Sequence, residues 1–111
     1  MFITWNDFGK IEIRVGTIIE VNDFPKARKA SLKLTIDFGQ ELGIKRSSAQ
    51  IMTHYKKEEL LHKQIIAIIN FPSKQIADFF SECLVLGIYD ENNDVVLLKP
   101  DKPLSNGLKI G

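Results

Sequence analysis

The sequence predicts a mostly-β single domain in which five strands curl toward a small barrel, with short helices at the N-terminus and between the third and fourth strands. Three observations predict it. Apolar and polar residues alternate with period two across residues 11–21 and again across 32–38, the pattern of half-buried strands. That period is lost after Ser48, where Ile51 with Tyr55 and Glu58-Glu59-Leu60-Leu61 suit one or two helical turns. Gly, Pro, Asn and Asp punctuate the apolar runs at intervals short enough to bound strands. At 111 residues, 44% of them hydrophobic and 26% charged, the chain is one domain spanning 1–111, large enough to bury a core.

Thr4 followed by Asp7 is a helix-start signal, with a hydroxyl to cap the first turn and a carboxylate within it. Gly9 ends that helix quickly, and Phe2, Ile3, Trp5 and Phe8 give it more apolar surface than one turn can cover. The first strand then sets Ile11, Ile13, Val15, Thr17, Ile19 and Val21 on one face and Glu12, Arg14, Gly16, Ile18 and Glu20 on the other. Gly16 in mid-strand predicts a bend or bulge. After a loop broken by Pro25, the second strand points Leu32, Leu34, Ile36 and Phe38 inward and Lys33, Thr35 and Asp37 outward. Residues 43–47 form a third strand and 65–69 a fourth, buried on both faces by composition. Residues 70–76 are expected as loop, and Cys83 to Tyr89 as one strand pairing across Asp90–Asp94 with residues 95–98. Asn106-Gly107 closes the series with a tight turn. Three strands, a short helix and two more strands is the order of the OB-fold barrel, with the chain ends as extensions, although other sheets and barrels share this pattern.

Composition narrows the function. Fifteen basic and fourteen acidic residues leave a formal charge of +1, so any anion must be held by a local patch and not by the field of the whole molecule. No P-loop, Gly-x-Gly-x-x-Gly or Gly-x-Ser-x-Gly element is present, and the two Asp-Phe-Gly tripeptides stand outside any kinase context. His54, His62 and the single Cys83 do not make a four-ligand zinc set, and Cys83 opens an apolar strand, as a packed thiol would. The expectation is therefore a non-enzyme with no metal and no cofactor. One cysteine, no leader at the N-terminus and no apolar run near 20 residues predict a cytoplasmic protein that does not insert into membranes.

In an OB barrel the ligand lies across strands two and three, between the loop joining strands one and two and the loop joining strands four and five. The first loop holds Lys26, Arg28 and Lys29; strand three holds Lys45, Arg46 and Ser48; the second loop holds Asn70, Lys74, Gln75 and Ser81. Singly these are ordinary surface residues. Clustered, the cations can position phosphates while the amides and hydroxyls bond phosphate, sugar or base edges. Phe24, Phe71, Phe79 and Phe80 in the same loops are candidates to stack on unpaired bases.

Five further motifs stand in a telling order: Ile11-Glu12-Ile13-Arg14-Val15-Gly16-Thr17-Ile18, Ile36-Asp37-Phe38-Gly39, Ser47-Ser48-Ala49-Gln50-Ile51, Asn70-Phe71-Pro72 and Ser81-Glu82. Together with Pro100-Asp101 and Asn106-Gly107, they resemble the tRNA-binding domain family over essentially the full length. The resemblance extends to the family's small homodimeric members that are described as protein-export chaperones. It implies an OB barrel, terminal extensions that mediate dimerisation, no catalysis and no cofactor, and tRNA as partner, with unfolded preproteins or export machinery as a second class. From their place on the OB ligand face, the expected contacts to nucleic acid are Lys45, Arg46, Ser48, Asn70, Lys74 and Ser81, with Lys26, Arg28 and Lys29 as a phosphate-steering rim. The alternative ligand, an extended apolar peptide, would use Phe71, Phe79 and Phe80. Trp5, Phe8, Pro103 and Leu104 would pack between subunits. The chain departs from the family pattern between residues 73 and 80: a cation is lost at Gln75, an anion gained at Asp78 and an aromatic added at Phe80, which predicts weaker RNA binding than in more basic relatives.

Overall fold

A computed structural model describes all residues, Met1–Gly111. Helix α1 (Trp5–Gly9) starts as its sequence dictates: the Thr4 hydroxyl accepts from the Asp7 amide and the Asp7 carboxylate accepts from the Thr4 amide, each at 3.0 Å. No residue of this helix is buried. Strands β1 (Ile13–Asp23), β2 (Leu32–Asp37) and β3 (Ile44–Ala49) follow, then helix α2 (Lys57–Leu60) and strand β4 (Gln64–Ile68). A small hairpin of β5 (Lys74–Ile76) and β6 (Phe79–Ser81) precedes β7 (Leu84–Val85), β8 (Gly87–Tyr89) and β9 (Val95–Leu97).

The main sheet is antiparallel in the order β3-β2-β1-β4-β7. Its two edges come together through residues 81–83. The Glu82 amide donates to the Arg46 carbonyl at 2.7 Å, the Glu82 carboxylate accepts from the Arg46 amide at 2.9 Å, and the Ser47 hydroxyl donates to the Cys83 carbonyl at 3.0 Å. The result is a nearly closed five-stranded barrel of the OB type. Inside it pack Ile18, Leu32, Leu34, Ile36, Phe38, Ile51, Leu60, Ile65, Ala67 and Cys83. Burial of each large side chain in this set is worth about 1.5–3 kcal/mol, so the interior carries the stability and the polar outer face is free for other work.

Three local expectations change. In β1 the residues facing the interior are Gly16 and Ile18, and after them Val21, because the register with β2 shifts between Ile18 and Glu20. One extra residue at that bulge moves the inward parity from even to odd positions and leaves Ile19 exposed. Gly16 has another role: a Cβ there would lie 2.7 Å from both Ile36 Cγ2 and the Phe38 ring, so this position lets two strands approach closely. Residues 70–76 are not all loop, since Lys74–Ile76 pairs with Phe79–Ser81 around Ala77, which adopts φ +54°. The single strand expected from Cys83 to Tyr89 is broken at Leu86 into β7, which pairs with β4, and β8, which pairs with β9.

The C-terminal extension runs back along the start of β1. Val15 exchanges backbone hydrogen bonds with Gly107 and Leu108 at 2.7 and 3.0 Å, the Thr17 hydroxyl donates to Asn106 Oδ1 at 2.7 Å, and Gln64 binds both backbone groups of Leu104. This strap buries Val15, on the side of β1 away from the interior.

Candidate nucleic-acid interface

The loop after β1, the end of β3 and the β5–β6 hairpin meet at one concavity of about 620 Å³. Its lining includes Lys26, Arg28 and Lys29 from the loop, Ser48 and Gln50 from β3 and beyond, and Lys74 and Gln75 from the hairpin. Strand pairing explains the meeting. β2 brings Lys33 opposite Ser48, and β6 reaches β3 where the Ser48 amide donates to the Ser81 hydroxyl at 3.3 Å. A second ligand-sized hollow of about 400 Å³, almost wholly apolar, lies beside the first and is lined by Phe71, Pro72, Lys74, Ser81, Cys83 and Leu84. Lys74 lines both.

The electrostatics are set by which cations have partners. Lys26 is bound to Asp78 at 2.9 Å, a contact that ties the loop to the hairpin and holds the Asp78 carboxyl below the usual carboxylate range through its hydrogen bond and charge. Arg28, Lys29, Lys33, Lys45, Arg46 and Lys74 have no carboxylate within 4.0 Å. Around a chain of net charge +1, Arg28, Lys29 and Lys74 therefore bring unneutralised positive charge to the concavity, with Lys33 and Arg46 beside it on the outward face of β2 and β3. Lys45, paired with the inward-facing Ile36, lies on the other face of β3.

Aromatic residues divide into two kinds. Phe24 and Phe79 are buried against each other with ring centroids 5.3 Å apart, so neither ring is open to a base or a peptide. Their exposed side is covered by cations instead: Arg46 stands 4.5 Å from the Phe79 centroid, and Lys33 lies 4.9 and 5.5 Å from those of Phe24 and Phe79. Phe71 and Phe80 are open, at 54% and 55% exposure. Asn70 is engaged within the protein, accepting from the Glu12 amide at 2.9 Å and donating to the Lys10 carbonyl at 2.7 Å, where it links the end of β4 to the start of β1. Ser48 and Ser81 take part in the seam that closes the barrel while remaining only partly covered.

Lys33, Ser31, Gln50, Ile76 and Ala77 belong to this region and were not among the expected contacts. Alternation already pointed Lys33 outward from β2, but its place over two phenyl rings depends on the fold. Elsewhere, burial pushes the Cys83 thiol up to about 12, so it is protonated and inert at neutral pH. No three His, Cys, Asp or Glu side chains gather as a metal site would need, and no helix is long and apolar enough to cross a membrane. On the N-terminal arm Trp5 is 90% exposed and, with Ile3, Phe8 and Gly111, lines an open apolar hollow of about 680 Å³; Pro103 and Leu104 are also exposed.

Known proteins match this geometry. Residues 13–109 match the family model described as "Putative tRNA binding domain". Methionine–tRNA ligases from Pyrococcus horikoshii and Nanoarchaeum equitans are 36% and 37% identical over 98% and 97% of this chain, which spans only 14% and 13% of their lengths. Two solved CsaA chaperone proteins match over whole chains. The one from Picrophilus torridus is 55% identical with a TM-score of 0.92, covering 99% of this chain and 100% of its own. The one from Bacillus anthracis is 47% identical with a TM-score of 0.94, covering 100% of both. From the barrel topology, the matched family model and these full-length likenesses, the chain belongs to the tRNA-binding domain family, with CsaA chaperone proteins among its relatives.

Proposed function

We propose that the protein is a non-enzymatic tRNA-binding module that acts in the cytoplasm as a homodimer. The observation that carries the reading is the convergence of residues 26–29, Ser48, Gln50 and residues 74–77 on one concavity, where Lys26 is paired with Asp78 but Arg28, Lys29 and Lys74 have no carboxylate partner. Arg28, Lys29, Arg46 and Lys74 would displace counterions from phosphates, and Ser48 with Gln75 would supply hydrogen bonds to sugar or base. Titration with tRNA at two salt concentrations tests this. Affinity falls steeply with salt, and Lys74→Ala flattens the slope of log K against log salt by about one unit. Binding that ignores salt overturns the proposal.

Dimerisation rests on the uncovered apolar residues of the N-terminal arm: Phe2, Ile3 and Trp5 face water beside the half-buried Phe8, and that much apolar surface on so short a segment calls for a partner surface. The protein is expected to elute as a dimer, and Trp5→Asp to yield monomers or insoluble material. A well-behaved monomer of the unaltered protein at high dilution contradicts it.

A second reading takes the protein as a chaperone for unfolded preproteins in export. The apolar hollow of Phe71, Pro72 and Leu84, with Phe80 exposed on the neighbouring hairpin, favours it. Under that reading, suppression of client aggregation survives high salt and is lost when Phe80 is made polar.

A further inference from the structure

The apolar hollow and the cationic concavity share one residue, Lys74, whose ammonium has no carboxylate partner. The hollow is floored by the protonated Cys83 and walled by Phe71, Pro72 and Leu84, with Phe71 54% and Leu84 47% exposed. Its single built-in hydroxyl belongs to Ser81. The contacts through which that hydroxyl could donate, to Ser47 Oγ and to the Cys83 carbonyl, are both 3.5 Å long, well beyond the 2.5–3.0 Å of a good O–H···O bond. A donor is thus left largely unspent at the edge of an apolar slot, with a free cation on the rim that leads to the larger cationic concavity. An apolar peptide could use the walls and give a backbone carbonyl to the hydroxyl, but it carries no anion to continue into the cationic concavity that Lys74 shares. A duplex would use the cations but could offer no flat apolar group to the slot, because its bases are stacked and paired.

We infer that this hollow is a nucleobase subsite. One unpaired base lies against Phe71, Pro72 and Leu84, its polar edge accepts from the Ser81 hydroxyl, its phosphate meets Lys74, and the adjoining backbone continues along Arg28 and Lys29. The inference rests on the RNA-binding reading and sharpens it: the module selects RNA with an unstacked nucleotide, such as a loop or a single-stranded end, over uniform duplex. Stacking on aromatic and apolar side chains is sequence-tolerant, so the selection is for strandedness and not for one base.

The test uses the full chain, a short single-stranded oligoribonucleotide carrying a fluorescent adenine analogue, and the same strand in a blunt duplex. The single strand is expected to bind about tenfold more tightly than the duplex, with the analogue's emission changed on binding. Phe71→Ala removes the preference and the emission change while leaving the salt slope intact. Lys74→Ala lowers the slope and keeps part of the preference. Ser81→Ala weakens the single strand by a few-fold, without altering the duplex. Equal binding of both RNAs with unaltered emission overturns the subsite and leaves salt-dependent RNA binding standing. Failure of both RNAs to bind at low salt overturns the RNA reading itself and the subsite with it. An apolar peptide that occupies the hollow and is not displaced by the single strand also overturns it, in favour of a protein ligand.

Discussion

Arg14 on β1 and Arg46 on β3 belong to the same sheet and live in opposite surroundings. Arg14 is held within the protein, bonded to Glu12 at 2.6 Å and to the Gly107 carbonyl at 2.9 Å, and Lys109 adds a second cation 3.4 Å from the same carboxylate. It is a clasp between β1 and the C-terminal strap. Arg46 has its backbone tied to Glu82 on both sides, yet its guanidinium meets no carboxylate and rests on the Phe79 ring 4.5 Å away. That ring costs the guanidinium none of its charge and holds it at the surface, beside the other unpaired cations. The lesson is that a neutral total conceals two populations of cations. Those near the strap hold the fold together; those near the β5–β6 hairpin remain available.

The largest expected effect breaks the clasp. Arg14→Ala removes a charge-assisted bond to Gly107 and loosens the strap, and should lower stability by about 2 kcal/mol in chemical denaturation while leaving the salt slope of tRNA binding unchanged. A pH series reads the same contact. The hydrogen bond from Arg14 holds the Glu12 carboxyl below its ordinary value. A carboxylate depressed in the folded state stabilises the fold fully above its unfolded pKa, and that contribution is lost as pH falls through the depressed folded value. Acid titration below about pH 4.5 should therefore destabilise the unaltered protein more than Arg14→Ala, in which the two curves of stability against pH converge. Parallel curves would show that the clasp does not set the acid limb.

Arg46→Ala tests the opposite pole. It should reduce tRNA affinity about tenfold at low salt and flatten the salt slope by about one unit, with a stability loss below about 1 kcal/mol from uncovering Phe79. A large stability loss with unchanged binding would make Arg46 a structural residue like Arg14 and erase the contrast. The smallest effect concerns the one cation of the rim that is already paired. Asp78→Asn releases Lys26 and should tighten tRNA binding by a few-fold, steepening the slope by up to one unit, with stability nearly unchanged because the pair is exposed. No change in slope would mean that Lys26 does not reach phosphate.

The parts of the fold legible in the sequence were those governed by local rules. Thr4 and Asp7 built their capping box, Leu32, Leu34 and Ile36 turned inward with period two, and Asp90 to Asp94 made the turn before β9. The β5–β6 hairpin escaped notice because each of its strands is only three residues long and its turn is made by Ala77 in place of a glycine. The parity change in β1 escaped for a related reason: a bulge has no fixed residue signature, and Ile18 and Ile19 offer the same apolar character to either face. Within the candidate site, Lys26, Arg28, Lys29 and Lys74 were expected from the barrel order to lie near one another and do line one concavity, whereas Lys45 and Arg46, expected with them, do not line it. The pairing of Lys26 with Asp78 was not expected, nor the burial of Phe24 and Phe79 beneath Arg46 and Lys33.

The sequence by itself determined the strand-rich class, the interior face of β2, the terminal helix and the kinds of side chain brought to the ligand face, because alternation, capping and turn chemistry act between residues a few positions apart. Only the tertiary structure decided which of those side chains are free. Whether a lysine meets an aspartate 52 positions away, or a phenylalanine lies under an arginine, depends on how the barrel closes, since charge and ring faces are neutralised or left open by neighbours in space.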